Sequence, residues 1–324
     1  MEAFPWFDPT YILKIIIMLT LNLAKPLESF FEYTIQEFPD GQKNIVIKPD
    51  NLKICAAQDH VVQISSRMKN FEHVGMIICA VSSLRNLGIK RISLYVPYFL
   101  GSRSDRLFEE GGNNFLKQVI CPIINSLNFE SVTVLDPHSD VLEACLNNFK
   151  KQDNFKFVDT VLNNMYPDNT KRMYLHSNCV IVAPDTGATK KIYKLAEKLN
   201  FTGDIITCIK DRDVNGKIKR FDVVGGHLPE NKDIIIIDDI CDGGRTFIET
   251  VEHIKEYLGD TRKGKIYLVV THGIFSNGFA ELSKYFDGIY CTNSYSELPM
   301  WQSDGGKIIT CNVDDSYVTQ INVF

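Results

Sequence analysis

Apolar runs of strand length alternate with amphipathic stretches along most of this chain. The clearest unit begins at Asp233 and reads DIIIIDDICDGGRTFIETVE. Its four consecutive isoleucines, Ile234 to Ile237, do not alternate with polar residues. A strand that is apolar on both faces is covered on both, as in a parallel sheet between helices. From Phe247 the apolar positions Phe247, Ile248, Val251, Ile254 and Leu258 fall on one helical stripe. The unit is therefore a buried strand, an acidic glycine-rich turn and an amphipathic helix. In open α/β sheets ligands bind at the carboxyl ends of strands, which is where this turn falls.

Further strand patterns lie at 13–21, 44–47, 52–57, 91–96, 131–135, 180–183, 203–209, 266–270 and 288–292. Helical patterns lie at 74–87, 114–127, 189–199, 247–258 and 278–285. Strands alternating with helices predict βαβ units and an α/β fold built on parallel sheets. A length of 324 residues suits about two domains. The polar stretch 147–178 reads as their join, giving an N-terminal domain over 1–155 and a C-terminal one over 156–302. The segment 303–324 has no strong period and is expected to pack back on the first.

Charge narrows the function. A net charge of −5 leaves no basic excess to neutralise nucleic-acid phosphates. The apolar stretch 11–23 is interrupted by Lys14 and is too short to span a bilayer. Nine scattered cysteines without a CxxC pair read as reduced thiols of a cytoplasmic protein.

Candidate chemistry clusters after the strands. Beyond the isoleucine run come Asp238, Asp239, Asp242, Gly243, Gly244, Arg245 and Thr246. Free backbone N–H groups of such a turn, at a helix N-terminus, favour a phosphate. The first two carboxylates suit sugar hydroxyls or a metal ion, so a ribose phosphate satisfies both halves. Other strand ends offer Arg103, Asp105 and Arg106; Asp136 and His138; Asp185; Lys210 and Arg212; and His272. Singly, each has a bland reading: Asp185 before Thr-Gly as a helix N-cap, His138 as a structural histidine. Jointly they surround one phosphate turn with the groups that Mg²⁺-nucleotide chemistry uses.

These blocks resemble, in order, those of the ribose-phosphate diphosphokinases (PRPP synthetases). FPDGQ at 38–42 is similar to FSDGE, PYFLGSRSDR at 97–106 to PYFGYARQDR, and DPH at 136–138 to DLH. APDTGATKK at 183–191 resembles SPDAGGAKR, KDR at 210–212 matches KxR, and THGIFS at 271–276 matches THGxFS. The DDxxD core is shared with type I phosphoribosyltransferases; the PYF…RxDR, DxH and THGxFS blocks favour the diphosphokinase.

The resemblance implies two doubly wound parallel-sheet domains of type I phosphoribosyltransferase-like fold, Mg²⁺ as cofactor, and ATP and a ribose phosphate as partners. It implies transfer of the β,γ-diphosphate of ATP to a ribose C1 hydroxyl. Carried over by position, Phe38, Asp40, Gln42, Arg103 and Asp105 are ATP contacts, with Phe38 and Asp40 donated by a neighbouring subunit of a dimer-based homo-oligomer. His138 and Asp185 position the metal, and Lys210 and Arg212 close over the transferring diphosphate as catalytic cations. Asp238 and Asp239 take the ribose hydroxyls, and the segment from Asp242 to Thr246 holds the 5-phosphate. The chain departs from the usual DTGGT or DTCGT loop, with Gly243 in place of a Thr and Arg245 in place of a Gly. Gly243 is read as opening one side of the turn and Arg245 as able to grip a phosphate diester or a second phosphate, so ADP-ribose is an alternative acceptor beside ribose 5-phosphate. A phosphoribosyltransferase and a non-catalytic synthetase subunit are the other readings.

Overall fold

A computed structural model of the protein describes residues 19–49, 59–166, 171–212, 218–226, 228–259, 263–297 and 307–311. The predicted strand at 52–57 and most of that at 13–21 lie outside them, leaving β1 (Leu19–Asn22). β2 (Tyr33–Glu37) and β3 (Lys43–Ile47) pair antiparallel as a separate two-stranded hairpin. β2 escapes sequence reading because YTIQE is short and mostly exposed, with only Tyr33 and Ile35 apolar. β4 (Val62–Ser65) leads into helix α1 (Phe71–Asn86), which Asn70 caps by accepting the backbone N–H of His73. β5 (Ile92–Val96) is followed by a π turn, Leu116–Ile120, and helix α2 (Cys121–Ser126).

β6 (Ser131–Leu135), helix α3 (Val141–Cys145) and β7 (Phe149–Gln152) complete the first half. Its sheet has the order β1-β4-β5-β6-β7, and every pairing is parallel. In the described part of the stretch read as a polar join, β7 is followed by helices α4 (Phe155–Met165) and α5 (Lys171–Asn178). Helix α4 buries Phe157, Val158, Val161 and Leu162 at helical spacing.

The second sheet begins with β8 (Cys179–Ala183), helix α6 (Thr186–Leu199) and β9 (Asp204–Arg212). β10 (Ile218–Val224) pairs antiparallel with β9 at the sheet edge, a strand hidden in the sequence by Lys219, Arg220 and Asp222. Charges of this kind are usual on edge strands. β11 (Asp233–Cys241) leads to helix α7 (Arg245–Leu258), β12 (Ile266–Gly273), β13 (Gly288–Thr292) and β14 (Lys307–Cys311). The helix predicted at 278–285 is reduced to a 3₁₀ turn, Leu282–Lys284, after Gly278 at φ +70°. β14 lies beside β13 in this second sheet, so Lys307–Cys311 does not return to the first half.

The strand order is β10-β9-β8-β11-β12-β13-β14. From β8 the chain winds outward to β9, then returns to β11 and winds the other way. The crevice between β8 and β11 is thus a topological switch point, where doubly wound sheets bind ligands. The isoleucine run behaves as its pattern predicts. Ile234 and Ile236 join one core with Phe247, Val251 and Ile254 of α7. Ile235 and Ile237 join another with Ile192 and Leu195 of α6 and Phe157 and Val161 of α4. Each of the four is essentially fully buried, worth roughly 2 kcal/mol apiece in apolar transfer. Strand β11 is thereby held rigidly from both faces.

Candidate active site

β11 continues four residues past the isoleucines, so Asp238 and Asp239 belong to the strand rather than to the turn. Its register with β12 explains this: Ile240 and Cys241 still pair with His272 and Gly273. The turn proper is Asp242, Gly243 and Gly244. Gly244 adopts φ +81°, and an added Cβ would lie 2.8 Å from a Leu282 methyl, so only glycine fits here. Helix α7 then starts at Arg245 without a side-chain cap. A helix start of this kind, with no side chain over it, favours an anion through the helix dipole.

The carboxyl ends of the first sheet face this turn. His138, just after β6, makes a 3.0 Å contact through Nδ1 with Asp239 Oδ2. Lys191 of α6 donates to the same Asp239 oxygen (2.6 Å) and to the carbonyl of Pro137 (2.9 Å), and lies 3.4 Å from Asp136. Asp136 is buried and sits at φ +39°, an unusual conformation for a residue with a side chain. Its Oδ2 accepts from Thr271 Oγ1 (2.6 Å) and Asn154 Nδ2 (3.0 Å). His272, buried in β12, points Nε2 at the carbonyl of Leu135 (3.1 Å) and Nδ1 at Ser294 Oγ (2.8 Å). Burial lowers its pKa, so the ring is neutral and fits Nε2–H as the donor. Farther along the junction, Arg67 Nε donates to the carbonyl of Asn293 (2.9 Å), and Tyr98 packs edge-on against His272 and Tyr295.

The two strand-end acids differ sharply. For Asp239, burial opposes the charge, but His138 and Lys191 outweigh it and hold the carboxyl well below its usual range. For Asp238, burial first, then the charges of Asp239 and Asp185, push the carboxyl well above its ordinary value. Asp238 is therefore disposed to keep its proton, because ionising it would add negative charge that the protein's own cations do not neutralise. A cation or a ring of hydroxyl donors would relieve it.

Asp185 spends part of its carboxylate as the cap of α6, accepting the Ala188 N–H at 3.1 Å. The bland reading of that residue is thus realised, without removing its charge from beside Asp238. Among the described residues, no group of three or more His, Cys, Asp or Glu is arranged to hold a metal. Mg²⁺ commonly takes one or two protein carboxylates and completes its shell with water and substrate phosphate. Asp185 beside Asp238 is a carboxylate pair of that kind, with His138 one contact away on Asp239.

Arg103 and Asp105, expected together on one ligand, have different partners. Arg103 crosses to the second half and pairs with Asp242 at 2.6 Å. Asp105 is buried and held by Arg106 at 2.7 and 3.1 Å, which keeps its carboxyl below the usual range. Phe38, Asp40 and Gln42 lie away from this junction, at the exposed tip of the β2–β3 hairpin. There Asp40 Oδ1 accepts the Gln42 N–H (3.1 Å) and Gly41 takes φ +85°. The hairpin packs on α1 through Ile45 and Ile47. Lys210 and Arg212 stand on β9, not in a loop, with Lys210 opposite Phe221 and Arg212 opposite Ile218. The chain between Arg212 and Ile218 lies outside the described residues.

The altered phosphate turn is not open in the way its sequence suggests. Arg245 is exposed and pairs with Glu249 one turn along α7, at 2.7 Å. The space beside Gly243 is occupied: an added Cβ would lie 2.9 Å from Asn277 Nδ2.

Lys191, Asn154 and Thr271 are site residues that sequence reasoning passes over. For Lys191 a signal exists, since it sits beside Ala188, Ile192 and Leu195 on the buried stripe of α6. A lysine there needs a buried acid as partner. Asn154 and Thr271 carry no comparable signal, because only the packing of the halves brings them to Asp136.

Residues 158–272 match the family profile described as "Phosphoribosyl transferase domain". Among curated proteins, the chain is 25% identical over 267 residues to the ribose-phosphate pyrophosphokinase of Pyrococcus furiosus, covering 80% of this chain and 85% of that one. It is 28% identical over 295 residues to the ribose-phosphate pyrophosphokinase of Sulfurisphaera tokodaii, covering 88% and 87%. Its fold superposes on the crystal structure of phosphoribosylpyrophosphate synthetase from Mycobacterium smegmatis with a TM-score of 0.67, over 87% of each chain at 18% identity. Along most of its length the chain is thus similar in sequence to the ribose-phosphate pyrophosphokinases, and it shares the fold of the synthetase structure.

Proposed function

We propose that the protein transfers the β,γ-diphosphate of ATP to the C1 hydroxyl of ribose 5-phosphate, releasing AMP. The observation that carries this reading is the switch-point crevice. There a strand ending in two acids runs into a glycine turn at a helix N-terminus, with the loops of a second parallel sheet facing it. In the reaction the C1 oxygen attacks the β-phosphorus, the bond from that phosphorus to the AMP oxygen breaks, and the hydroxyl proton passes to solvent. The backbone of Gly243 to Thr246 holds the 5-phosphate, with Asp242 beside it. Asp238 and Asp239 hold the ribose hydroxyls and so aim C1 at the nucleotide. Arg103 and Asp105 lie on the ATP side.

Lys210 and Arg212, at the end of β9, neutralise charge on the transferring diphosphate. Phosphoryl-transfer sites work largely by positioning and charge stabilisation. His138 and Asp185 would hold Mg²⁺, which would supply further neutralisation of the ATP oxygens. Phe38, Asp40 and Gln42, remote from their own crevice, serve the adenine site of a neighbouring subunit in a homo-oligomer. Free ribose 5-phosphate is the acceptor that the site favours. Arg245 is engaged with Glu249, and Asn277 fills the room beside Gly243, so nothing in the turn favours an esterified phosphate. The domain split is put near residue 155, a reading that the two separate sheets support. No helix among the described residues is long and apolar enough to cross a membrane.

The test is AMP release by purified protein given ATP, Mg²⁺ and ribose 5-phosphate. The expected result is AMP and a ribose 1-diphosphate in equal amounts. ATP consumed only in the presence of a different acceptor, or no AMP at all, would overturn the assignment.

A further inference from the structure

The turn that holds the 5-phosphate lacks the hydroxyl side chain that the resembling sequences carry at position 243, and a neighbouring loop fills that space. An ideal Cβ on Gly243 would lie 2.9 Å from Asn277 Nδ2 and 3.8 Å from Ser276 Oγ. The backbone of Gly243 is not in the left-handed region, so its conformation does not itself exclude a side chain. Asn277 does.

The loop carrying Asn277 is firmly seated. Ile274 and Phe275 both donate their N–H groups to the carbonyl of Cys241, at 2.8 and 3.2 Å. The buried ring of Phe275 stacks at 4.6 Å on Phe279, and the Gly278 N–H closes the turn onto the Phe275 carbonyl at 2.8 Å. Asn277 Nδ2 then donates to the Gly243 carbonyl at 3.3 Å. A carboxamide nitrogen carries two N–H groups, so one remains for a ligand. The neighbouring hydroxyl is committed elsewhere, because Ser276 hydrogen-bonds to Asp242 and, with Arg103, holds that carboxyl low.

We infer that Asn277 replaces the missing turn hydroxyl, supplying from the β12 loop a hydrogen-bond donor to the terminal phosphate of the acceptor. This inference rests on the proposed reading of the turn as a sugar-phosphate cradle. It makes residues 243 and 277 an exchangeable pair. A hydroxyl side chain in the turn and an amide in the loop compete for one volume, and either can serve the phosphate.

The experiment is calorimetric binding of ribose 5-phosphate, with inorganic phosphate as a second probe, to the full chain and four variants. Asn277→Ala is expected to weaken both ligands roughly tenfold, the size of one hydrogen bond to a charged group. Asn277→Asp keeps the shape, removes the donor and adds a negative charge, so it weakens them further. Gly243→Thr alone should bind poorly, because its side chain meets Asn277. Gly243→Thr with Asn277→Ala should recover affinity to within a few-fold of wild type. Asn277 is exposed, so every variant should melt close to wild type. Wild-type affinity in Asn277→Asp, or a double variant no tighter than Gly243→Thr, would overturn the inference. The recovery pattern without AMP formation by any variant would uphold it and overturn the proposed reaction instead.

Discussion

Lys191 is the single side chain on which most of the crevice depends. It touches Asp239, Asp136 and the Pro137 carbonyl, which come from both sheets. Both acids are buried, and removing one partner of a buried charge cluster leaves the others uncompensated, typically at 3–5 kcal/mol. Lysine is partly open to solvent here, so about 3 kcal/mol is the expected loss for Lys191→Met. Urea unfolding should show that shift, and AMP formation should fall with it. Lys191→Arg, which restores the cation in a different shape, should recover most of the stability but less of the turnover. An unchanged unfolding midpoint in Lys191→Met would remove Lys191 from this role.

At the scale of elements, the β9–β10 hairpin is the part of the second sheet that projects beyond the packed core. β9 runs nine residues, and its last positions pair only with the charged edge strand β10. Lys210 and Arg212 stand at that outer end, beyond the buried Ile206 and Cys208. Their replacement should leave the core alone. Charge stabilisation by one well-placed group is worth roughly a hundredfold in rate. Lys210→Ala and Arg212→Ala should each lower kcat by about that factor while the melting temperature holds. Single-turnover AMP formation measures it, and near-normal rates in both variants would take the hairpin out of the reaction.

At the scale of the whole molecule, the β2–β3 hairpin stands apart. Its tip exposes Phe38 at 47%, and Ile35 and Val46 are also open to solvent. In the proposed homo-oligomer this tip serves the ATP site of another copy. Phe38→Ala should raise the KM for ATP several-fold with little effect on the KM for ribose 5-phosphate. Mixed with Lys210→Ala and allowed to exchange subunits, it should regain activity at low ATP that neither variant shows alone. A fully active monomer by sedimentation would exclude the arrangement.

Local pattern alone determined the α/β class, the doubly buried β11, the acidic glycine turn and helix α7, because each is a property of contiguous residues. Four isoleucines have no polar face to expose, and Gly244 marks a backbone that side chains avoid. Strands β2 and β10 were illegible because exposed edges need no apolar period. The positions of Asp238 and Asp239 within the strand were decided by pairing with β12. So was the role of His272, which resembles a turn residue until the first sheet supplies the Leu135 carbonyl. The turn's chemistry shows the division most plainly. Gly243 and Arg245 invite an open phosphate site when read in sequence, yet Asn277 and Glu249 close it. Asn277 is 34 positions away from Gly243, and only tertiary packing determines which side chain fills the space that a glycine leaves.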